Sequence, residues 1–455
     1  MSKYFKLDRG RVLLAAALII SGFVMGAKTA RGEITLCYDP VWLAGQYSYY
    51  TGLGWADVDN NGWIDFISAT GLDVSRNPLV IYYNSENGLE SSPGYVSSET
   101  GTYCQLYLGD YNNDGDQDVI ISSLGLVPSV SPGPQYMFCD TGMSFGPTAC
   151  WKPTINTNSF SCVAGDPDGD GDLDIAFANG DYATNYIQNS WMFFNNGGSF
   201  NTTPDWASEQ PYYGVDAAFC DIDLDGDLDF ILGGRLLSIA VFKNNGGVIE
   251  SNPSWISNAI EVGRQIAFGD VDNDGYPDLA VASIDGFHLF KNIGGTLENT
   301  PSWSCDNYTQ PSAVAWADVD NDGYLELAGG GGNTHAGVFD NINGVLSDEY
   351  IWKYNGDGSF GTYYVGQVNW ADYDQDGLVD TTVEFTGDGL RKLYVIRGPL
   401  HQITSVKIDN TELSKAQYCY DLTEGWISLA AAPAAGSILS IDYTYSRDLD
   451  LVIGT

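Results

Sequence analysis

Asp270-Val-Asp272-Asn-Asp274-Gly275-Tyr-Pro-Asp278-Leu-Ala places side-chain oxygens at positions one, three, five and nine of a short loop, with glycine at six. Acidic residues at alternate positions of a tight turn supply the carboxylate oxygens that a hard cation such as Ca²⁺ takes. The same opening half occurs in the EF-hand, which needs flanking helices and a bidentate Glu at position twelve. Here the flanks are Gln265-Ile-Ala-Phe-Gly and Leu279-Ala-Val-Ala-Ser, short and β-prone, and position twelve is Val281. The stretch reads as a calcium loop between two strands.

Six further copies share its register. The predicted ligands at positions one, three, five and nine are Asp57, Asp59, Asn61 and Asp65, then Asp110, Asn112, Asp114 and Asp118, then Asp166, Asp168, Asp170 and Asp174. They continue as Asp221, Asp223, Asp225 and Asp229, with Asp270, Asp272, Asp274 and Asp278 in the copy quoted first. Asp318, Asp320, Asp322 and Glu326 form the sixth set, and Asp372, Asp374, Asp376 and Asp380 the seventh. Successive copies begin 53, 56, 55, 49, 48 and 54 residues apart, and 26 of the 28 ligand positions are Asp or Glu. A lone copy would be weak; seven in register, each before an apolar strand, predict up to seven Ca²⁺ ions.

Each unit carries two further marks. About 20 residues on comes an aromatic strand ending in a turn, as in Val241-Phe242-Lys-Asn244-Asn-Gly246-Gly247 and Leu289-Phe290-Lys-Asn292-Ile-Gly294-Gly295. Asn and Gly adopt positive φ at little cost, which a tight hairpin demands. Pro-x-Trp comes next, at Pro204/Trp206, Pro253/Trp255 and Pro301/Trp303. The residue before each first Asp is small (Ala56, Gly109, Gly165, Cys220, Gly269, Ala317, Ala371), and the one before that is usually large and apolar. Inner strands with this alternation are buried on both faces. Four antiparallel strands per unit make the blade of a β-propeller, so the expected fold is all-β, a seven-bladed propeller. The seventh unit lacks Pro-x-Trp after Arg397, whereas Pro40-Val-Trp42 has no unit before it. Residues 38–46 are therefore expected to join the seventh blade and close the circle.

The DxDxDGxxDL units with their aromatic-Asn-Gly-Gly partners resemble the FG-GAP/VCBS repeat family, whose calcium loops also line the propeller of integrin α subunits. The resemblance spans residues 38–398. It implies a seven-bladed propeller with Ca²⁺ in the inner hairpins, and fixes neither ligand nor reaction. Residues 400–455 read as a small C-terminal β appendage, or as the truncated start of a further module.

Lys3, Lys6, Arg9 and Arg11 precede an apolar run from Val12 to Gly26, and small residues come after it. That is the three-part pattern of a secretory signal peptide over residues 1–31, too short for a membrane span; an uncleaved anchor is the alternative. The chain carries a net charge of −40. Without residues 1–31 it has 13 basic and 58 acidic residues, a balance of −45. Such a charge excludes nucleic acid and anionic membrane as electrostatic partners. Eight cysteines suit an exported chain. Their pairing is not readable in general, though Cys139 and Cys150 flank one predicted hairpin turn.

Chain direction puts the calcium loops and Asn-Gly-Gly turns on one face and leaves the other for a ligand. Tyr50, Tyr103, Phe160, Tyr213 and Tyr364 fall where inner strands begin, with Tyr47, Tyr182, Tyr186, Tyr308 and His335 in nearby loops. Ringed at a channel mouth they would stack on sugar faces or a peptide; the alternative is that they fill gaps between blades. The expected function is a secreted or cell-surface binding and adhesion module for polysaccharide or protein. Its rival is a polysaccharide-cleaving lyase with a Tyr or His base, for which Arg76, Arg235 and Arg264 are the basic candidates. A third reading is a structural module of a larger surface protein.

Overall fold

The computed structural model describes residues 17–20, 42–43, 50–71, 75–125, 132–142, 144–181, 186–234, 238–258, 262–308, 310–331, 334–354, 365–396 and 400–454. The fold is all-β, built from antiparallel sheets, and its single helical turn among these residues is Lys415–Gln417. Four-stranded sheets recur in chain order, as in Gly214–Cys220, Asp229–Gly234, Ile239–Phe242 and Trp255–Ile256. The second strand of such a sheet is buried along its length, as Asp229–Gly234 and Asp278–Ser283 are. That is why its sequence is a continuous apolar run rather than an alternating one.

Seven inner strands lie side by side, and the last, Gln367–Ala371, also lies against the first, Tyr50–Ala56. Side chains five residues before the first loop Asp tie neighbouring sheets together. Asp216 Oδ2 accepts from Ile266 N (2.8 Å), Gln265 Oε1 from Val314 N (3.1 Å) and Gln367 Oε1 from Leu53 N (2.8 Å). The small residue before each loop has a steric cause. A Cβ on Gly165 would come within 2.7 Å of Phe219, and one on Gly269 within 2.8 Å of Leu325, both from the next sheet. The outer Trp packs forward as well: Trp206 lies 5.6 Å edge-on from Phe242, and Trp303 lies 5.2 Å from Phe339.

The seventh sheet departs from the expected plan. Its order is Gln367–Ala371, Asp450–Gly454, Ala17–Ile20, Trp42–Leu43. Trp42–Leu43 does join it, as the closing segment was expected to. The strand beside it, however, comes from within the stretch read as a signal peptide. The strand that succeeds the seventh loop in sequence, Leu378–Thr386, leaves for a separate sheet with Ile438–Ser446, Leu400–Ile408 and Thr411–Glu412. Leu393–Val395 pairs with Trp426–Leu429, so the appendage starts at about 378, not 400, and is an insertion. The side chains explain the exchange. Leu378–Thr386 alternates half-buried and exposed positions, whereas Leu451, Val452 and Ile453 are all fully buried. Only the latter pattern suits a strand covered on both faces. The insertion has its own core around Tyr394, Val406, Ile427, Leu439 and Ile441. It lies over the loop face, where Lys392 Nζ donates to Gly169 O (2.6 Å), Asn321 Nδ2 donates to Arg447 O (2.9 Å), and the Tyr107 hydroxyl donates to Asp421.

Cys139 and Cys150 are disulfide-bonded, as their flanking positions suggested. No helix among the described residues is long and apolar enough to cross a membrane.

Candidate metal centre

Each loop is organised by its own carboxylates before any ion is considered. In the fifth, Asp270 accepts from Asp274 N and Gly275 N (both 3.0 Å), and Asp274 Oδ1 accepts from Tyr276 N (2.9 Å). Asp278 begins the next strand, where Oδ2 accepts from Val271 N (3.1 Å) and Oδ1 from Asn292 N (2.7 Å). The first loop repeats this through Asp57 to Asn61 N and Gly62 N, and Asp65 to Val58 N and Asn84 N. The second does so through Asp110 to Gly115 N and Asp118 to Tyr111 N, with Asn112 accepting from Asp114 N. Glycine at position six is required by the backbone: φ lies between +91° and +98° in the first six loops, the region that side chains disfavour.

The ligand atoms converge. One carboxylate oxygen from each of Asp57, Asp59 and Asp65 lies within 4.8 Å of the others. The same holds for Asp166, Asp168 and Asp174, for Asp221, Asp223 and Asp225, for Asp270, Asp272 and Asp278, and for Asp318, Asp320 and Glu326. Asp174 Oδ2, Asp223 Oδ1, Asp272 Oδ1, Glu326 Oε1 and Asp372 Oδ1 are buried without a hydrogen-bond partner, one in each of loops three to seven. Buried, unmatched carboxylate oxygens are costly unless a cation accepts their charge. Burial therefore pushes the position-nine carboxyls upward, despite the amides that donate to them: Asp65, Asp229 and Asp278 to about 7, Asp118 to about 8 and Glu326 to about 9. Asp272 is divided between two tasks, one oxygen 2.6 Å from Lys291 Nζ and the other unmatched. The all-oxygen donor set fits a hard divalent cation.

Asp380 does not reach its loop. It sits exposed in the insertion, where its Oδ1 accepts from Thr444 Oγ1 (2.7 Å).

Local sequence reading assigned the turn asparagines only conformational work, and missed a second role. Asn292 Nδ2 donates to Pro277 O of its own loop (3.1 Å) and to Ile222 O of the preceding sheet's loop (2.8 Å). Asn195, Asn244 and Asn341 repeat the bridge, and Asn84 carries it from the first sheet to Tyr373 O of the seventh (2.7 Å). The recurrence of Asn at one offset from each loop was the available signal. Asn292→Ala strands two carbonyl groups and is expected to cost about 2–4 kcal/mol, read as a lower urea midpoint.

Among the described residues, two of the proposed ligand aromatics face the interior. Tyr103 is fully buried, 5.1 Å edge-on from Tyr136, and Phe160 is buried as well. Both fill space between sheets. Tyr308 stacks on Tyr350 at 4.1 Å. Tyr213 is partly exposed and His335 exposed, with burial and then Lys353 holding the His335 imidazole below its ordinary range. Tyr47, Tyr182, Tyr364 and Arg235 lie outside the described residues, as do the side chains of Tyr50 and Arg264.

Sheets and loops together define an all-β repeat protein organised on aspartate-rich hairpin loops. Residues 43–121, 166–232 and 270–329 match the FG-GAP-like repeat, so the chain carries FG-GAP-like repeats across residues 43–329. No curated protein matches it. Among solved structures it is similar to an Agrocybe aegerita lectin that specifically recognises non-reducing terminal N-acetylglucosamine, at 18% identity and TM-score 0.47, covering 75% of this chain and 90% of that one. It is also similar to BBS1N in complex with ARL6DN, in a mercury-soaked crystal (10% identity, TM-score 0.49, 88% and 93% covered) and a lead-soaked one (11%, 0.46, 72% and 87%). At these scores the likenesses carry no argument.

Proposed function

We propose that this chain is a closed, seven-bladed, calcium-stabilised β-propeller, exported to the cell surface or beyond, where it binds a polysaccharide or a protein. The observation that carries this reading is the recurrence of a buried, unmatched ligand-position carboxylate oxygen in each loop from the third to the seventh. The contact between the last inner strand and the first supports closure. Seven divalent ions would return 14 positive charges to a chain of net charge −40, where the repulsion is greatest. Closed oxygen cages leave little room for a reacting group, so the ions act on stability. Export rests on the leader; its cleavage would remove Ala17–Ile20 from the seventh sheet.

The insertion covers the loop face, which directs a ligand to the opposite face or into the cavity of about 2010 Å³ between the inner strands and the insertion. Gln105, Gln265 and Gln367 line that cavity from the ring, and Arg391, His401 and Tyr443 from the insertion. Amides, a guanidinium and rings are groups that hold sugars. The test is a glycan array with a panel of acidic polysaccharides and surface proteins, with and without EDTA. Saturable binding lost in EDTA is expected. Substrate turnover would replace the binding module with a polysaccharide-cleaving enzyme, and no binding would remove the reading.

A further inference from the structure

The seventh loop begins like the others and then breaks off. Gly377 N donates to Asp372 Oδ2 (3.2 Å), as the position-six amide does elsewhere. Gly377 itself lacks the positive φ of its six counterparts. From Leu378 the chain runs out along the insertion, and it comes back at Ser446, which pairs with Leu378. Arg447 N donates to Gly377 O (2.9 Å), and Ser446 Oγ donates to Asp372 Oδ2 (2.7 Å), so the two arms of the neck are fastened together beside the loop.

Immediately past the neck, the chain has the sequence of the missing half-loop. Asp448-Leu449-Asp450 stands where Asp172-Leu173-Asp174 and Asp227-Leu228-Asp229 stand in the third and fourth loops. Leu449 is buried as Leu173 and Leu228 are. Strand register agrees: Asp450 pairs with Ala371, as Asp229 pairs with Cys220 and Asp278 with Gly269. The hydrogen bond diagnostic of position nine is present too, from Tyr373 N to Asp450 Oδ2 (3.3 Å). In the first, second, fourth, fifth and sixth loops the position-nine carboxylate accepts the same amide. Asp372, 2% exposed, meanwhile keeps Oδ1 buried and without a partner.

We infer that the seventh cation site is discontinuous in sequence: Asp372, Asp374 and Asp376 supply one half and Asp450 the other, so that a bound divalent cation staples the neck of the insertion to the ring. This rests on the calcium reading of the other six loops and adds to it which residue closes the site and what the ion holds. In six loops the ion joins residues already adjacent in the chain. In the seventh it joins two segments separated by the whole insertion, so its removal frees the strand Asp450–Gly454, which completes the seventh sheet, as well as the insertion.

The test uses the full chain and Ca²⁺ alone, with bound ions counted by equilibrium dialysis. Asp450→Asn is expected to bind one ion fewer than the parent, and Asp380→Asn the same number as the parent. Loss of an ion from Asp380→Asn, or an unchanged count in Asp450→Asn, overturns the inference while leaving calcium at the other loops intact. A parent that binds no ion overturns the calcium reading and this one together. Should Asp450→Asn not fold, amide exchange on the parent decides. Ca²⁺ is expected to slow exchange at Tyr373, Gly377 and Arg447 together, at least tenfold; equal exchange with and without Ca²⁺ at these three amides overturns the inference.

Discussion

Transfer of the purified chain from millimolar Ca²⁺ into EDTA is expected to lower its melting temperature by about 10 °C. Calcium modules of extracellular type bind with Kd of about 10⁻⁴ to 10⁻³ M. At Kd of ~0.1 mM and ~1 mM free ion, each site stabilises the folded state by ~1.4 kcal/mol, and seven sites by ~10 kcal/mol. That sum is comparable to the whole stability of an ordinary domain. An unfolding entropy of roughly 2.1 cal/mol/K per residue makes each kcal/mol worth roughly 1 °C in a chain of this length. Scanning calorimetry at matched ionic strength measures the difference. A melt that chelation leaves unmoved would remove the ions from the account of stability.

The second large effect is an inverted pH dependence in the metal-free chain. Burial raises the carboxyls of Asp65, Asp229 and Asp278 to about 7 and that of Asp118 to about 8. In the unfolded chain the same groups titrate near 3.9. Between pH 4 and 7 the folded form therefore holds protons that the unfolded form has released, and stability falls as pH rises. This is the reverse of the usual paired carboxylate. In EDTA the melting temperature is expected to be several degrees lower at pH 7.5 than at pH 5. Ca²⁺, by favouring the ionised carboxylates, is expected to abolish the fall. Measuring in 0.5 M NaCl screens the repulsion between exposed charges and leaves the buried groups nearly unscreened. A metal-free melt that climbs between those two pH values would show that the loop carboxyls titrate as ordinary surface acids.

Much of this molecule was legible because its information is local. Asp270 to Asp278 declares its loop, its flanking strands and its bend within a few residues, and the spacing of the copies carries the repeat. The small residue beside Phe268 reports the close approach of the next sheet, where a Cβ at Gly269 would come within 2.8 Å of Leu325. Local reading failed where partners are distant. Asp380 occupies position nine by counting, yet Asp450 takes that register, because Leu451, Val452 and Ile453 can be buried on both sides and the alternating Leu378–Thr386 cannot. Asp448-Leu449-Asp450 repeats the Asp-Leu-Asp of the third and fourth loops in the sequence, but its place beside Gln367–Ala371 is set only by the fold. Asn292 was recognised for its turn, whereas its reach to Ile222, 70 residues back, exists only once the sheets stand side by side. Tyr103 and Phe160 failed as ligand candidates because an aromatic at the start of an inner strand meets the neighbouring sheet before it meets solvent.

The placement of Asp450–Gly454 between Gln367–Ala371 and Ala17–Ile20 also bears on how the protein is made. A ribosome delivers these residues after every other described segment. Until they arrive, the inner strand Gln367–Ala371 lacks this partner, and its edge is ready to add a strand from another nascent copy. Residues 450–454 are thus the zip fastener of this sheet, and the interval before they emerge is when misassembly threatens it most.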